Sequence, residues 1–161
     1  MSPIKGEQAF DAFFESIYGD QWHLLKQKLL EPGAKYARQN RFCTENLSLD
    51  MIGNESEEVP FAFEMKQDFD FTKLEQNPLP YYRMDPASIV AAQALSINPG
   101  MRVLDMCAAP GGKSLILAEN LFLEDEQLNL EGELILNELS ARRRFRLMTV
   151  VKRYLPKEAR S

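Results

Sequence analysis

The sequence predicts an α/β fold that opens with a βαβα unit and is preceded by a mainly helical amino-terminal region. Two apolar runs, 101–106 and 133–136, have the length and composition of buried strands. Gly111 and Gly112 mark a tight turn between the first run and a helix. Apolar residues also recur at helical spacing within 7–18. Because strands joined through a helix run parallel, we expect the two apolar runs to lie side by side in one sheet.

The composition is that of a globular protein with a packed core, since 45% of the 161 residues are hydrophobic. A chain of this length forms one domain, or one domain and a small second one. No apolar run is long enough to span a membrane, and the first residues lack the pattern of a secretory signal. We therefore expect a cytoplasmic protein without a membrane partner. Two cysteines without metal-type spacing predict neither a disulfide framework nor a metal site.

The net charge of -5 hides an asymmetry along the chain. Residues 141–161 contain eight basic residues and one acid, so the remaining residues carry a net charge of -12. A basic block of this kind is typical of an RNA contact, and equally of a solvated helix face. The acidic remainder opposes broad affinity for nucleic acids.

Two helices are predicted at the amino terminus. The first spans 7–18 and ends at Gly19, and Asp20 is expected to cap the second, which spans 21–30. We interpret the aromatic side chains of these helices as core residues rather than ligand contacts.

The region that follows is acidic and ends in a proline-rich linker. Short strands are predicted at 61–63 and 69–71, and Pro78 and Pro80 mark the linker. The two predicted domains are therefore 1–79 and 80–161.

The second predicted domain contains helices and strands in alternation. Asp85 and Ser140 are interpreted as helix caps, and the acidic stretch 124–132 as a solvated loop. The predicted elements are a helix from Asp85 to Leu95, a strand over 102–106, a helix over 114–121, a strand over 133–137 and a helix over 140–154.

The loop after the first of these strands has the chemistry of an anion or nucleotide site. Gly111 and Gly112 allow a ligand to approach the backbone, and the following helix N-terminus offers unpaired N–H groups. Glu138 follows the second strand, where nucleotide-binding α/β folds hold ribose hydroxyls. A phosphate-binding P-loop is the weaker alternative, because Cys107 stands in place of its first glycine and Pro110 has no N–H.

Several segments resemble the Sun/RsmB-type RNA cytosine-5 methyltransferases. Val103–Ser114 resembles their motif I, Asn137–Arg143 their next motif, and Tyr82–Ser88 the segment just before the methyltransferase fold. The aromatic pattern from Phe10 to Leu29 is similar to the subgroup without a separate RNA-binding module. The resemblance implies a Rossmann-like methyltransferase fold, truncated after its first βαβα unit. It also implies S-adenosylmethionine as cofactor and ribosomal or transfer RNA as partner. In this interpretation, 1–79 is a candidate RNA-contacting region and 80–161 is the amino-terminal half of the cofactor-binding methyltransferase domain.

The resemblance also implies roles for individual residues. Glu138 would accept hydrogen bonds from both ribose hydroxyls, and Arg143 would brace that acid or the ligand, unless it is simply an exposed arginine. Asp85 and Ser88 would line the site or serve only at a helix cap. Segment 38–42 resembles a part of the family that leads toward RNA, with a surface loop as the alternative. The residues implied to surround the methionine part of the cofactor, largely through backbone, are Cys107, Ala108, Ala109, Pro110, Gly111, Gly112 and Lys113.

The chain departs from the family at its cysteines. The catalytic cysteines of the family lie in a Pro-Cys and a Thr-Cys motif, whereas Cys43 and Cys107 stand in other contexts. No catalytic residue is therefore assigned, and we expect the chain alone to be inactive. The alternative function is a non-catalytic RNA- or protein-binding module. In either case the edges of an incomplete sheet favour self-association, pairing with a complementary carboxyl-terminal half, or a cap formed by the acidic segment 45–75.

Overall fold

The computed structural model describes residues 6–31, 33, 36–45, 52–65 and 70–160. The chain forms two compact units, residues 1–33 and residues 34–161. Within the described residues, no helix is long and apolar enough to cross a membrane. The cytoplasmic location stays a prediction.

The first unit is a helical hairpin, as predicted. Helix α1 spans Glu7–Tyr18 and helix α2 spans Gln21–Leu30. Gly19 joins them with a φ of 55°, a conformation that favours glycine. Asp20 makes no side-chain hydrogen bond to the first turn of α2, so its predicted role as a cap is wrong.

Trp22 forms the centre of the hairpin. Its side chain is buried, its ring stacks 4.8 Å from that of Phe14, and its Nε1 donates a hydrogen bond to Asp11 at 3.0 Å. The predicted core role holds for Trp22 but not for most aromatic residues of α1, because two helices bury only the seam between them. The exposed aromatic residues of α1 are Phe10, Phe13 and Tyr18.

A four-stranded antiparallel sheet lies within residues 36–84. Its strands are β1 (Tyr36–Gln39), β2 (Gly53–Glu55), β3 (Ala62–Met65) and β4 (Tyr81–Met84), in the order β2-β3-β1-β4. The expectation of a mainly helical amino-terminal region therefore holds for the hairpin and not for this part. The four strands are short and contain no β-branched residue, so their sequences carry little strand signal and pairing with neighbours forms them.

Of the two short strands predicted in the acidic region, one is observed. The strand predicted at 61–63 overlaps β3, which spans Ala62–Met65. Phe71 instead begins a short 3₁₀ turn, Phe71–Lys73, whose backbone is capped by the Asp70 carboxylate accepting from the Thr72 N–H at 3.1 Å. Phe69 lies outside the described residues.

The compact units do not follow the predicted boundary near residue 79. Strand β4 pairs with β1, placing Tyr36 opposite Met84, so the sheet extends across that position. The Asn40 side-chain amide also donates to the carbonyls of Leu79 and Tyr154, at 2.7 and 2.8 Å. The linker is thus held between the antiparallel sheet and Tyr154. The functional division into 1–79 and 80–161 stays a prediction.

The predicted βαβα unit is present. Strands β5 (Arg102–Asp105) and β8 (Glu133–Leu136) pair in parallel, with Arg102 opposite Glu133. Asp85 and Ser140 accept from backbone N–H groups three residues ahead, which confirms both predicted helix caps. The helices of this unit are α3 (Pro86–Gln93), α4 (Gly112–Phe122) and α5 (Ala141–Tyr154).

The acidic connection before β8 differs from the solvated loop that we expected. It contains a small antiparallel hairpin, formed by β6 (Leu123–Glu124) and β7 (Gln127–Leu128). Asp125 and Glu126 form the turn of this hairpin, with φ angles of 48° and 61°. These values lie in the left-handed region that the central residues of a two-residue hairpin turn adopt.

Only one face of the β5–β8 sheet is covered by the described residues. Val103 and Leu134 pack against the core on the side of α4, whereas Leu104 and Ile135 remain 55% and 42% exposed. In the part of the chain that the structure describes, the apolar side chains on the second face of these strands are therefore exposed. Within the described parts of segment 45–75, strands β2 and β3 pair in the antiparallel sheet, and no residue pairs with β5 or β8.

Candidate functional site

The candidate site lies where β5 and β8 end side by side. The loop after β5 leads into α4, and the loop after β8 leads into α5. The two loops are tied together because the Ala108 N–H donates to the Asn137 carbonyl at 3.0 Å. The Asn137 side-chain amide donates back to the Met106 carbonyl at 2.9 Å. Carboxyl ends of neighbouring parallel strands are the usual ligand position in α/β folds.

Asp105 fixes the shape of the glycine loop. One carboxylate oxygen accepts from the Ser114 hydroxyl at 2.7 Å, and the other accepts from the Cys107 N–H at 3.2 Å. Ser114 is buried and its hydroxyl is used inside the protein, whereas the serine of a P-loop holds a magnesium ion. This arrangement argues against the P-loop alternative. Sequence reasoning missed Asp105, although an acid at the end of a strand before a glycine turn was a visible signal.

The two glycines are required by packing within the protein. Gly111 has a φ of 123°, and a Cβ there would lie 2.9 Å from Cγ1 of Val150 in α5. A Cβ on Gly112 would lie 2.9 Å from Cε1 of Tyr82 in β4. Sequence reasoning assigned both glycines to close approach of a ligand. The structure adds a reason within the protein, because a Cβ at either position would force a side chain of α5 or of the antiparallel sheet to shift.

A cleft of about 200 Å³ opens above the loop. Lys113 crosses it, with its Nζ 3.4 Å from the Ser88 hydroxyl. Asp85 and Ser88 both line the cleft as well as forming the cap of α3. The cleft is lined on one side by Tyr82, Arg83, Met84, Asp85 and Ser88, and on the other by Cys107, Ala108, Ala109, Pro110, Gly112 and Lys113.

Glu138 and Arg143 form the second part of the site. The Glu138 side chain is 5% exposed, and its Oε1 accepts from the Ser140 N–H at 2.9 Å. Arg143 lies with its Nε 3.5 Å from Glu138 Oε2, and it donates to the Ala109 carbonyl at 2.7 Å. Arg143 therefore bridges the acid and the glycine loop. The structure places it against Glu138, one of the two positions that the sequence left open for it.

The structure thus brings the sequence-predicted residues together in two adjoining groups. Residues 107–110, 112 and 113 line the cleft, whereas Glu138 and Arg143 stand beside it and reach the loop through Ala109. Gly111 faces α5 instead of the cleft. In the described part of the chain, no group of three or more histidine, cysteine, aspartate or glutamate side chains is arranged to hold a metal ion.

A buried ion pair supports the helix behind the site. Arg38 of β1 donates to both carboxylate oxygens of Glu119 in α4, at 2.6 and 3.3 Å, and the Arg41 N–H donates to the same carboxylate at 3.0 Å. Burial raises the pKa of Glu119, and the two arginines oppose that shift. The surface-loop alternative for 38–42 is therefore wrong at Arg38 and at Asn40, both of which are buried.

Comparison with known proteins relates the chain to RNA-modifying enzymes. No family model matches it. It is 42% identical over 80 residues to the 5-cytosine rRNA methyltransferase NSUN4 of Bos taurus, which covers 50% of this chain and 19% of that protein. It is 43% identical over 83 residues to the protein of the same name in Xenopus laevis, covering 52% of this chain and 18% of the relative. It is also 36% identical over 80 residues to the mitochondrial tRNA (cytosine(34)-C(5))-methyltransferase of Danio rerio, covering 50% and 20%.

The chain therefore spans about a fifth of the length of the curated relatives that it matches. Among solved structures, it resembles the crystal structure of PH0851 with a TM-score of 0.72 and 23% sequence identity. That similarity covers 96% of this chain and 38% of the other. The similarity is one of fold, and it extends beyond the half of the chain that the curated relatives match.

Proposed function

We propose, from the relationship of this chain to the Sun/NOP2 family of RNA cytosine-5 methyltransferases, that it holds the S-adenosylmethionine-binding part of such an enzyme. The observation that carries the proposal is the pairing of the glycine loop with Glu138 at the ends of adjacent parallel strands. A loop of this kind presents backbone N–H groups, and an acid at the end of the next strand binds ribose hydroxyls. The proposed substrate is ribosomal or transfer RNA, as the names of the relatives suggest.

The residues present fit the chemistry of this cofactor. The Glu138 carboxylate is almost fully buried, yet among the described residues its Oε2 is approached only by Arg143, at 3.5 Å, beyond the length of a strong charge-assisted bond. That oxygen therefore keeps acceptor capacity for a hydroxyl donor. Asp85 and Lys113 line the cleft with opposite charges, which suits the carboxylate and amino groups of the cofactor's methionine part. When bound, S-adenosylmethionine supplies the methyl group, and these residues bind and orient it.

The proposal predicts that Glu138→Gln weakens cofactor binding. The substitution keeps the shape and the acceptor for the Ser140 N–H, but it removes the charge that strengthens hydrogen bonds from ribose. We expect a loss of about 1.5–3 kcal/mol per hydrogen bond, which corresponds to about 12- to 150-fold in Kd. Isothermal titration calorimetry with S-adenosylmethionine measures the Kd of the variant and of the wild type.

The matched control is Glu131→Gln, which removes the same charge from an exposed position near the start of β8. It should leave the titration unchanged. An equal Kd for Glu138→Gln and wild type would assign Glu138 to the structure of the α5 N-terminus only. A wild-type chain that binds no cofactor would contradict the proposal as a whole.

The second candidate is a non-catalytic RNA- or protein-binding module, in which neither cysteine has a catalytic role. Cys43 is buried, where desolvation raises the pKa of its thiol, and Cys107 belongs to the glycine loop. Neither stands in the context of the family's catalytic thiolates. This candidate predicts RNA or protein binding without a cofactor, so the same titration separates the two.

We further propose that the exposed face of the β5–β8 sheet is covered by a second copy of the chain or by a complementary carboxyl-terminal half.

A further inference from the structure

Helix α5 has an outer face whose charge the fold does not explain. Residues Ala141–Tyr154 contain six basic side chains and no acid. Three of the basic side chains are used inside the protein. Arg143 pairs with Glu138, Arg144 donates to the Glu138 carbonyl, and Arg153 donates to the carbonyls of Thr72 and Leu74.

The other three basic residues of α5 face solvent. Arg142, Arg146 and Lys152 are exposed and have no hydrogen bond or ion pair with any residue that the structure describes. Arg142 also stands in the first turn of the helix, at the positive end of the helix dipole, where a cation is unfavourable. Folding alone would favour an acid at that position. Arg142 therefore does not stabilise the helix through the helix dipole.

A large aromatic side chain lies among these cations. Phe145 is 75% exposed, and it follows Arg142 by three residues and precedes Thr149 by four. Residues at these spacings share one side of a helix, so Arg142, Phe145, Arg146 and Thr149 form a continuous stripe. The stripe faces away from Leu147 and Tyr154, the buried residues of the helix. It does not include any residue of the candidate cofactor site.

We propose that this stripe of α5, defined by Arg142, Phe145, Arg146 and Thr149, binds single-stranded RNA. Two unpaired guanidinium groups attract phosphates, and the exposed phenyl ring beside them offers a face on which a base stacks. This combination of cations and a ring fits a strand of phosphates and bases better than it fits an acidic protein surface, although Met148, one turn from Phe145, is also exposed. The inference rests on the proposed function, because that function makes RNA the partner.

The test measures RNA affinity as a function of salt concentration by fluorescence anisotropy. The probe is a labelled mixed-sequence single-stranded RNA. The double variant Arg142→Gln/Arg146→Gln should reduce the slope of log K against log salt by about 1.4, from about 0.7 per lost phosphate contact. The charge-matched control Lys28→Gln/Lys73→Gln, at exposed positions elsewhere, should leave the slope unchanged.

Phe145→Ala tests the aromatic platform. It should weaken RNA binding about 5- to 150-fold, the value of one lost base stack, without a change in the salt slope. Phe13→Ala is the control, since Phe13 is a comparably exposed phenylalanine on α1. Equal effects of the stripe variants and their controls would overturn the inference. So would a Phe145→Ala variant that changes the mass measured by light scattering and leaves RNA affinity intact, since the stripe would then be an interface between copies.

A cofactor titration of the same proteins separates this inference from the proposed function. The stripe variants should bind S-adenosylmethionine with unchanged Kd. A wild-type chain that binds the cofactor but no RNA overturns the stripe and leaves the cofactor site standing. A wild-type chain that binds RNA through the stripe but no cofactor supports the stripe and refutes the proposed cofactor function.

Discussion

Removing Arg38 should destabilise the protein strongly at neutral pH and much less in mild acid. The Arg38 and Glu119 side chains are 5% and 2% exposed, so the carboxylate depends on Arg38 for its charge partner. In Arg38→Met, only the Arg41 N–H remains hydrogen-bonded to the carboxylate of Glu119. Breaking one side of a buried pair costs about 3–5 kcal/mol. The substitution keeps an unbranched chain of similar length, so little of this loss comes from packing.

The free-energy cost of burying an unpaired Glu119 carboxylate cannot exceed the cost of protonating it, because the protonated side chain is neutral. With an ordinary pKa of 4.5, protonation at pH 7 costs about 3.4 kcal/mol, from 1.36 kcal/mol per pH unit. At pH 5 the same step costs about 0.7 kcal/mol. Burial already raises the pKa of Glu119 in the wild type, and the loss of Arg38 raises it further above the unfolded value. Stability is therefore retained near and below the unfolded pKa and lost as the pH rises toward 7.

Urea denaturation at pH 5 and pH 7 measures the free energy of unfolding of the variant and of the wild type at each pH. The matched control is Arg102→Met, which removes an arginine that pairs with Glu133 at the same 2.6 Å distance but is 77% exposed. Exposed pairs contribute about 0–1 kcal/mol, so this control should be nearly neutral at both pH values. The double variant Arg38→Met/Glu119→Leu should recover most of the loss, since no unpaired charge remains. Equal destabilisation by Arg38→Met and Arg102→Met, or a loss independent of pH, would refute the reasoning.

Two further predictions concern packing and assembly. Gly112→Ala should lower the free energy of unfolding by about 1–3 kcal/mol, because its Cβ would meet the Tyr82 ring. The control Gly33→Ala, where nothing lies within 4 Å of the new Cβ, should stay within about 1 kcal/mol of wild type. Thermal and urea denaturation measure the stability of both variants. The chain should also self-associate through the open face of the β5–β8 sheet, and Leu104→Lys/Ile135→Lys should shift the light-scattering mass toward the monomer. A monomeric mass for wild type at every concentration contradicts this second prediction.

Local sequence was sufficient for the elements whose signals lie within a few residues. The parallel strands, the glycine turn and the caps formed by Asp85 and Ser140 were predicted because apolar runs and capping side chains act over one turn of helix or one strand. The glycine loop and Glu138 were indicated by the same stretch, since each comes directly after a strand, whereas the roles of residues 107–113 and of Arg143 were implied by the family resemblance. Asp105 was missed although its place at the end of β5 was visible in the sequence; its hydrogen bonds to Ser114 and Cys107, which close the loop, are seen in the structure.

By itself, the sequence determined the α/β unit, the helical hairpin and the position of the candidate cofactor loop. Only the tertiary structure decided that residues 36–84 form an antiparallel sheet, because strands of three or four residues become stable only when their neighbours pair with them. It likewise decided that Arg38 lies in the core, since an arginine enters the interior only where a distant carboxylate meets it. Glu119 lies 81 residues further along the chain, and no local pattern joins the two.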